Sequence, residues 1–334
     1  MLCLVVAAAC VLLFALCLFH GTVSIAPRSV AAALVGRETA SVEAFIVREV
    51  RFPAALTALL SGAALATSGL LLQTVFRNPL ADPSILGINS GAGLGVAIVM
   101  LALGGSFTAS GFSLSGFLLV ITSAFLGASV IIVLLLFFST LIRSSLMLLI
   151  VGIMISYVTS SVISLLNYAA TAEGVHSYVI WGLGNFSGVS RAHLPGFSAV
   201  IVAALAAATL MVKSLDLLLL GGDYASNLGL HVRRARTLCL LVTGVLTATV
   251  TAYCGPIAFI GLAVPHIARM MLASAKHCHL LPLTMLTGGG LALLCYVIST
   301  LPRSQGLIPL NVITPFFGVP VILYVLLRRR GTQE

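Results

Sequence analysis

Hydrophobic residues along this chain form long runs, and each run ends at a short cluster of polar or charged residues. A helix needs about 20 mostly apolar residues to cross a membrane. The first run covers residues 1–27, and residues 83–142 contain no charged residue, which leaves room for two such helices. The pattern predicts an all-α, polytopic membrane helix bundle.

The uncharged runs predict about ten transmembrane helices. Residues 237–268 hold two of these helices only if the chain breaks at Gly255-Pro256, and without that break the total would be nine. One span is predicted in each of residues 1–27, 52–76, 144–172, 192–212, 277–302 and 304–327, and two in each of 83–142 and 237–268.

The distribution of basic residues favours ten spans over nine. With the N-terminus inside, ten spans place eleven of the seventeen basic residues in cytoplasmic loops. These eleven are Arg77, Arg143, Lys213, Arg233, Arg234, Arg236, Arg269, Lys276, Arg328, Arg329 and Arg330. Nine spans would put the groups at 233–236 and 328–330 on opposite sides of the membrane. Because cytoplasmic loops carry an excess of Lys and Arg, we expect ten spans with both termini in the cytoplasm.

Residues 51–95 combine two runs of small residues with a polar elbow between them. Small residues let helix backbones approach closely inside a membrane bundle. We expect the elbow to be structural and to shape the inner ends of two spans. Its residues are Arg77, Asn78, Pro79, Asp82 and Pro83.

The composition agrees with a membrane protein and excludes several kinds of site. The 334 residues are 60% hydrophobic and 7% charged, against roughly 25% charged in soluble proteins. The net charge of +9 therefore indicates membrane orientation rather than nucleic-acid binding. The seven cysteines include no C-x-x-C pair, so we expect small buried side chains rather than disulfides or a metal site.

The sequence lacks the motifs of an ATPase, an ion-coupled carrier or an enzyme. It has no G-x-x-x-x-G-K-[ST] motif for ATP phosphates and no Ser/His/Asp or paired-carboxylate arrangement. Its eight acidic residues fall in loops or at span ends, whereas ion-coupled carriers usually keep a carboxylate near the membrane midplane. We therefore expect that this chain binds no cofactor. We also expect that another protein supplies the energy for transport, unless the chain forms a passive pore.

Two loops are long enough to hold helices of their own. Residues 22–50 form the longest outer segment, which predicts a surface helix, with a solvated connector as the alternative. Residues 213–236 form the most polar inner segment. Within it, Asp223 to Gly229 predicts a short helix closed by a C-terminal glycine. Such a helix suits docking to a cytoplasmic partner, and a plain connector is again the alternative.

Several long motifs, in order along the chain, resemble those of the FecCD-type permeases. The elbow segment reads G-A-A-L-A-T-S-G-L-L-L-Q-T-V-F-R-N-P-L-A-D-P-S-I-L-G-I-N-S-G-A over residues 62–92. Further matches are W-G-L-G-N-F-S-G at 181–188, G-D-Y-A-S-N-L-G-L at 222–230 and G-P-I-A-F-I-G-L-A-V-P-H-I-A-R at 255–269. These permeases are the membrane subunits of type II ABC importers for ferric siderophores, haem and cobalamin.

The resemblance implies one transmembrane permease domain over residues 1–334, in the bacterial cytoplasmic membrane. It also implies a homodimer with the pathway at the subunit interface, two cytoplasmic ATPases that use ATP, and an outer substrate-binding protein. We expect a ferric siderophore as cargo, with haem or cobalamin next. An ion-coupled secondary transporter of a small solute is the alternative function.

The resemblance also implies roles for individual residues. Ser144 and Ser145 are similar to the family's cytoplasmic gate, and residues 181–188 would lie near the outer mouth of the pathway. Arg51 and Arg303 are expected to dock the binding protein. The residues expected to couple to the ATPase are Asp223, Tyr224, Ala225, Leu228 and Gly229.

Three positions depart from the family pattern at the outer face. The family usually has R-x-P-R where this chain has Arg51-Phe52-Pro53-Ala54. It also tends to have Asp at the position of Tyr296 and a basic or polar residue at that of Thr300. Since charges at the rim of an interface mainly tune encounter rate and specificity, we expect a binding protein with an altered charge pattern.

Overall fold

The computed structural model describes residues 1–36, 41–102, 114–142, 144–272, 274–302 and 306–330, without the side chains of 102, 114, 115, 145, 326 and 328–330. Arg143 and Arg303 therefore lie outside the described residues. Every regular element in the described ranges is helical. The prediction of an all-α bundle is confirmed.

Fifteen α-helices are described, together with short π- and 3-10 segments. The π segments are Ile46–Arg51 and Ile98–Ala102, and the 3-10 turn is Phe186–Gly188. The α-helices are α1 Leu2–Phe19, α2 Pro27–Val35, α3 Val42–Phe45, α4 Phe52–Val75, α5 Ile88–Ala97, α6 Leu114–Leu141, α7 Ser145–Ala169, α8 Ala172–Gly182, α9 Leu194–Leu210, α10 Val212–Leu219, α11 Gly222–Asn227, α12 Val232–Cys254, α13 Ile260–Leu272, α14 His277–Ser299 and α15 Leu310–Arg330.

Six helices in the described ranges are long and apolar enough to cross a membrane. A seventh span results if α9 and α10, which meet at a bend of 53°, are counted as one. Three shorter apolar helices, Ile88–Leu101, Ile260–Leu272 and Leu310–Val325, lie where the sequence predicted further spans. The expected count of ten is therefore not confirmed by helix length and composition alone.

The predicted outer segment and the predicted breaks between spans have clear counterparts. Residues 22–50 contain α2 and α3 rather than a plain connector. Helix α2 begins with Pro27 in its first turn and ends at Gly36, which has φ +85°. Between α12 and α13 the chain breaks at residues 255–259, as Gly255-Pro256 predicted.

The chain forms two compact units that alternate along the sequence. The first consists of residues 1–67, 185–203 and 257–334, and the second of 68–184 and 204–256. The chain passes from one unit to the other inside α4 and again inside α9. The expected single permease domain stays a prediction.

In the first unit, α4 and α14 cross with their backbones in contact. A methyl group added to Gly62 would collide with the carbonyl oxygen of Gly288, and one added to Gly288 would collide with that of Gly62. Helix α1 packs beside α14, where the Cys10 thiol donates to the Leu286 carbonyl at 3.2 Å. Small residues thus allow the close approach expected of a membrane bundle.

The second unit repeats this packing between α5 and α6. Gly91 and Gly95 face Gly127 and Ser123, and a methyl group on either side would strike the backbone of the opposite helix. Buried Leu, Ile, Ala and Val side chains complete a core around this crossing. The small residues of the 51–95 stretch therefore serve one close crossing in each unit.

Large apolar side chains remain exposed on the long helices of the second unit. On α6 the exposed residues Leu126, Val130, Val133 and Phe137 recur at helical spacing and form one stripe. Helix α7 is only 22% buried over its most apolar window. Such surfaces suit lipid or another membrane subunit rather than water.

Replacing Gly288 by alanine should disrupt the α4–α14 crossing, because its single side-chain carbon would collide with the backbone carbonyl of Gly62. Overpacking costs roughly 1–3 kcal/mol, so we expect a lower melting temperature of the purified protein in detergent. Gly196→Ala is the matched control, since a methyl group there meets no described atom within 4 Å. Equal stability of the two variants would contradict this packing.

Candidate functional site

The polar loop at residues 213–236, in the second unit, forms the short helix that the sequence predicted. Helix α11 is followed by Leu228 and by Gly229, which has φ +86°. The Leu230 N–H donates to the Ala225 carbonyl at 3.0 Å, and the Gly229 N–H donates to that of Ser226 at 2.9 Å. A glycine in the left-handed region closes a helix in this way without steric strain. The predicted helix and its C-terminal glycine are confirmed.

The surface of α11 offers both charge and apolar area to a partner. Asp223 is exposed, and the Tyr224 and Leu228 side chains are 63% and 55% exposed. Exposed apolar side chains in an otherwise polar loop are typical of a contact surface. Ala225 was expected among the residues that couple to the ATPase. Its side chain is instead fully buried, so it anchors the helix and does not face a partner.

The polar elbow is a well-formed helix end followed by a tight turn. The Asn78 N–H donates to the Gln73 carbonyl at 3.2 Å and the Arg77 N–H to that of Thr74 at 3.3 Å. Arg77 occupies the left-handed position of this motif with φ +48°. Glycine is usual there, and a residue with a side chain costs roughly 1–2 kcal/mol more.

Asp82 holds the second half of the elbow together. Its carboxylate is buried, and Oδ1 accepts hydrogen bonds from the Ser84 N–H at 2.9 Å and from the Ser84 hydroxyl. Burial raises the pKa of the Asp82 carboxyl, and the two hydrogen bonds from Ser84 lower it by less. The elbow is therefore an ordered turn, as the structural interpretation of the sequence requires.

The predicted gate lies at the start of α7. Ser144 is exposed and caps that helix, with its hydroxyl oxygen accepting from the Met147 N–H at 3.4 Å. Ser145 is the first residue of the helix, and its side chain lies outside the described part. The gate function of both serines stays a prediction.

Two basic residues that the sequence suggested only as orientation signals bind helix ends next to this gate. Arg233 donates to the Thr140 carbonyl at 3.2 Å, and Arg236 donates to the Ile142 carbonyl at 3.4 Å. Cationic side chains at a helix C-terminus satisfy open carbonyls and interact favourably with the helix dipole. The R-R-A-R sequence at 233–236 is the signal that could have indicated such a role.

In the first unit, the structure contradicts the use of Arg51 as a surface contact. Its side chain is 4% exposed. Nη1 donates to the Leu18 carbonyl at 2.8 Å, and Nη2 donates to the Val23 carbonyl. The guanidinium thus joins α1 and the following turn to the start of α4. Arg303, the other predicted docking residue, lies outside the described residues.

Tyr296, one of the departures from the family pattern, belongs to a small cluster in the same unit. Its side chain hydrogen-bonds with that of Ser187, and its ring lies edge-on to Phe186 with centroids 6.4 Å apart. An exposed ion pair in this unit joins Arg191 to Glu49 at 2.8 Å. The residues near 185–191 are therefore held by side-chain contacts with residues that lie far away in the sequence, and no single sequence motif predicted these contacts.

A cavity of about 420 Å³ lies within the second unit. Tyr178 and Trp181 stack at its wall with centroids 6.1 Å apart, and the Thr251 hydroxyl donates to Oδ1 of the lining residue Asn89 at 2.9 Å. Among the described residues, its lining contains no acidic, basic, His or Cys side chain. It consists of Asn89, Ser90, Gly93, Ser160, Ile163, Tyr178, Val179, Trp181, Gly182, Leu183 and Pro256.

Comparison with known proteins gives a consistent family match. The model of the FecCD transport family matches residues 9–328. The chain is 36% identical to the vitamin B12 import system permease protein BtuC of Klebsiella pneumoniae, covering 85% of this chain and 82% of that one. It is 32% identical to the hemin transport system permease protein HmuU of Yersinia pestis, covering 85% and 84%.

One further relative and one solved structure extend this match. The ferric enterobactin transport system permease protein FepG of Escherichia coli is 35% identical, covering 82% of this chain and 80% of that one. A solved inward-facing structure described as a metal-chelate type ABC transporter aligns with a TM-score of 0.83 and 31% identity. That alignment covers 98% of this chain and 99% of the other.

Arg51→Gln should destabilise the protein more than loss of an exposed arginine does. The charged hydrogen bonds from Arg51 to two carbonyls are worth about 2–3 kcal/mol, whereas an exposed ion pair such as Arg191–Glu49 contributes at most about 1 kcal/mol. Thermal unfolding of Arg51→Gln and Arg191→Gln in detergent compares the two. A larger loss in Arg191→Gln would contradict the structural role of Arg51.

Asp82→Asn should preserve the hydrogen bonds to Oδ1 and remove the cost of burying a charge. Because burial raises the folded-state pKa of Asp82, this cost is absent below the usual carboxyl pKa and appears as the pH rises through the folded-state value. The variant should therefore melt at the wild-type temperature in acid and at a higher temperature at neutral pH. A lower melting temperature at neutral pH would show that the ionised carboxylate is stabilising.

Proposed function

Since the chain belongs to the FecCD transport family and is the permease of an ATP-binding-cassette importer, we propose that it imports a ferric siderophore across the bacterial cytoplasmic membrane. Haem and cobalamin are the next candidates. We choose a chelated metal as the cargo because of the side chains that line the cavity in the second unit. The relative named for ferric enterobactin supports the choice of a siderophore.

The cavity lining suits cargo that brings its own metal ligands. A bare iron ion would require carboxylate, imidazole or thiolate ligands, and the described lining contains only neutral polar, aromatic and apolar side chains. A siderophore already satisfies the coordination of its iron and presents amide, hydroxyl and aromatic groups outward. The stacked rings of Tyr178 and Trp181 and the amide of Asn89 match such a surface.

Energy for import comes, in this proposal, from two cytoplasmic ATPases that bind α11. The exposed side chains of Asp223, Tyr224 and Leu228 form the contact, and Gly229 closes the helix behind them. Ser144 and Ser145 gate the inner end of the pathway. The permease itself catalyses no reaction and binds no cofactor.

The remaining partners follow from the surfaces of the helices. A second copy of the permease covers part of the exposed apolar surface of α7, which makes a homodimer with the pathway between subunits. The three shorter apolar helices complete ten membrane crossings, with both termini in the cytoplasm. The substrate-binding protein docks on the outer face through Arg303 and other exposed groups, because Arg51 is occupied inside the fold.

Reconstitution of the permease with its ATPases and binding protein in proteoliposomes tests the proposal. We expect ATP-dependent uptake of a ferric siderophore in preference to haem and cobalamin, each offered with its purified binding protein. Preferred uptake of haem or cobalamin would overturn the choice of cargo. Uptake by the permease alone under a proton or sodium gradient would instead identify an ion-coupled secondary transporter.

Asp223→Lys should abolish ATP-driven uptake by reversing charge on the surface that meets the ATPase, while membrane insertion remains normal. Glu173→Lys is the matched control, because it makes the same charge reversal at an exposed acid in α8. The readouts are uptake per permease and the amount of ATPase that co-purifies. Normal uptake by Asp223→Lys would show that α11 is not the coupling surface.

A further inference from the structure

Arg77 occupies a backbone position that favours glycine, and its side chain reaches Gly221, the residue just before α11. Its φ of +48° places it in the left-handed region at the end of α4. A methyl group built on Gly221 would lie 3.2 Å from Nη1 and 3.8 Å from Cζ of Arg77. The guanidinium therefore covers the Cα of Gly221. Strain of this kind persists where the surrounding structure maintains it, and it points to a function for the side chain.

Gly221 is the residue from which α11 starts. It is buried and has φ +107° and ψ 153°, a conformation that side chains rarely permit. Its carbonyl accepts the first hydrogen bond of the helix, from the Ala225 N–H at 2.9 Å. A side chain at residue 221 would be strained and would also crowd the guanidinium. Gly221 thus leaves room for Arg77 at the point that sets the direction of α11.

The other end of Arg77 is anchored by the ordered elbow. Its own N–H and that of Asn78 close the end of α4, and Asp82 fixes the turn that follows through Ser84. The chain then enters α5, whose Asn89 and Ser90 line the cavity. The start of α11 is therefore connected to the wall of the cavity within one unit, through the side chain of Arg77 and then along the ordered chain of the elbow into α5.

We propose that Arg77 is a positioning residue that holds the start of α11 against the elbow and so transmits movement of that helix to α5. The position of α11 is a property of the permease alone. The link from that position to import rests on the proposed function, in which α11 meets the ATPase.

Two substitutions separate the guanidinium from the backbone conformation. Arg77→Gly removes the side chain and relieves the strain, and Arg77→Asn removes the guanidinium while keeping a residue that tolerates the left-handed region. If Arg77 contributed only helix-end geometry, both variants would behave like the wild type or better. If its guanidinium positions α11, both should loosen that helix without lowering the overall melting temperature.

Hydrogen exchange of the full-length permease in nanodiscs, sampled from milliseconds and read by mass spectrometry, tests positioning without any transport assay. We expect the amides of residues 221–230 to exchange about fivefold faster in both variants. The neighbouring helix α10, residues 212–219, is the internal control and should be unchanged. Wild-type exchange over 221–230, or equally increased exchange in α10, would overturn the proposal.

Uptake by the complete importer tests the consequence for coupling. We expect Arg77→Asn to keep binding the ATPases and hydrolysing ATP, with about tenfold less cargo imported per ATP. Wild-type stoichiometry in that variant would overturn transmission through Arg77. If the wild-type importer itself moved none of the offered cargoes, the proposed function would fail, while the exchange experiment would still decide the position of α11.

Discussion

The last carbonyls of a helix have no partner within that helix, and hydrocarbon offers them no donor, so donors from elsewhere in the protein stabilise helix ends in a membrane bundle. Arginine side chains supply such donors in both units: Arg51 binds carbonyls at the end of α1 and in the turn that follows it, and Arg233 and Arg236 bind carbonyls at the end of α6. Each guanidinium thus joins a helix end to another part of the same unit, the start of α4 for Arg51 and α12 for Arg233 and Arg236. The close glycine crossings are a further constraint on helix position, because a shift of one residue would bring side chains into contact where only glycine fits.

The positions of the helices could be predicted from the sequence, because apolar runs, glycines and prolines determine the conformation of the residues next to them. Gly229 predicted the end of α11, and Gly255 predicted the break after α12. Side-chain roles followed less well. The resemblance implied that Arg51 docks a binding protein, and a motif match does not reveal that a long side chain turns inward to carbonyls. Ala225 lies in a motif that matches the family, yet its side chain is buried while those of Asp223 and Tyr224 are exposed.

The cavity could not be predicted, because its wall combines residues that lie far apart in the sequence. Asn89 stands out as an amide within an apolar run, yet its partner Thr251 lies 162 positions away. The contact between Arg77 and Gly221 has the same character. Both features arise where the chain returns to the same unit after an excursion through the other, so that local patterns carry no trace of them.

Chemical cross-linking of α11 to the ATPase tests most directly that this helix joins the permease to its energy source. The Tyr224→Cys variant, in a background with the exposed Cys278 replaced by serine, would be treated in the assembled importer with a short maleimide–succinimidyl ester, which joins the new thiol to a nearby lysine of the ATPase. Our account predicts a cross-linked species containing permease and ATPase, and none from a cysteine at Tyr168, which is 90% exposed in α7. Equal capture at both positions, or capture only at Tyr168, would contradict it.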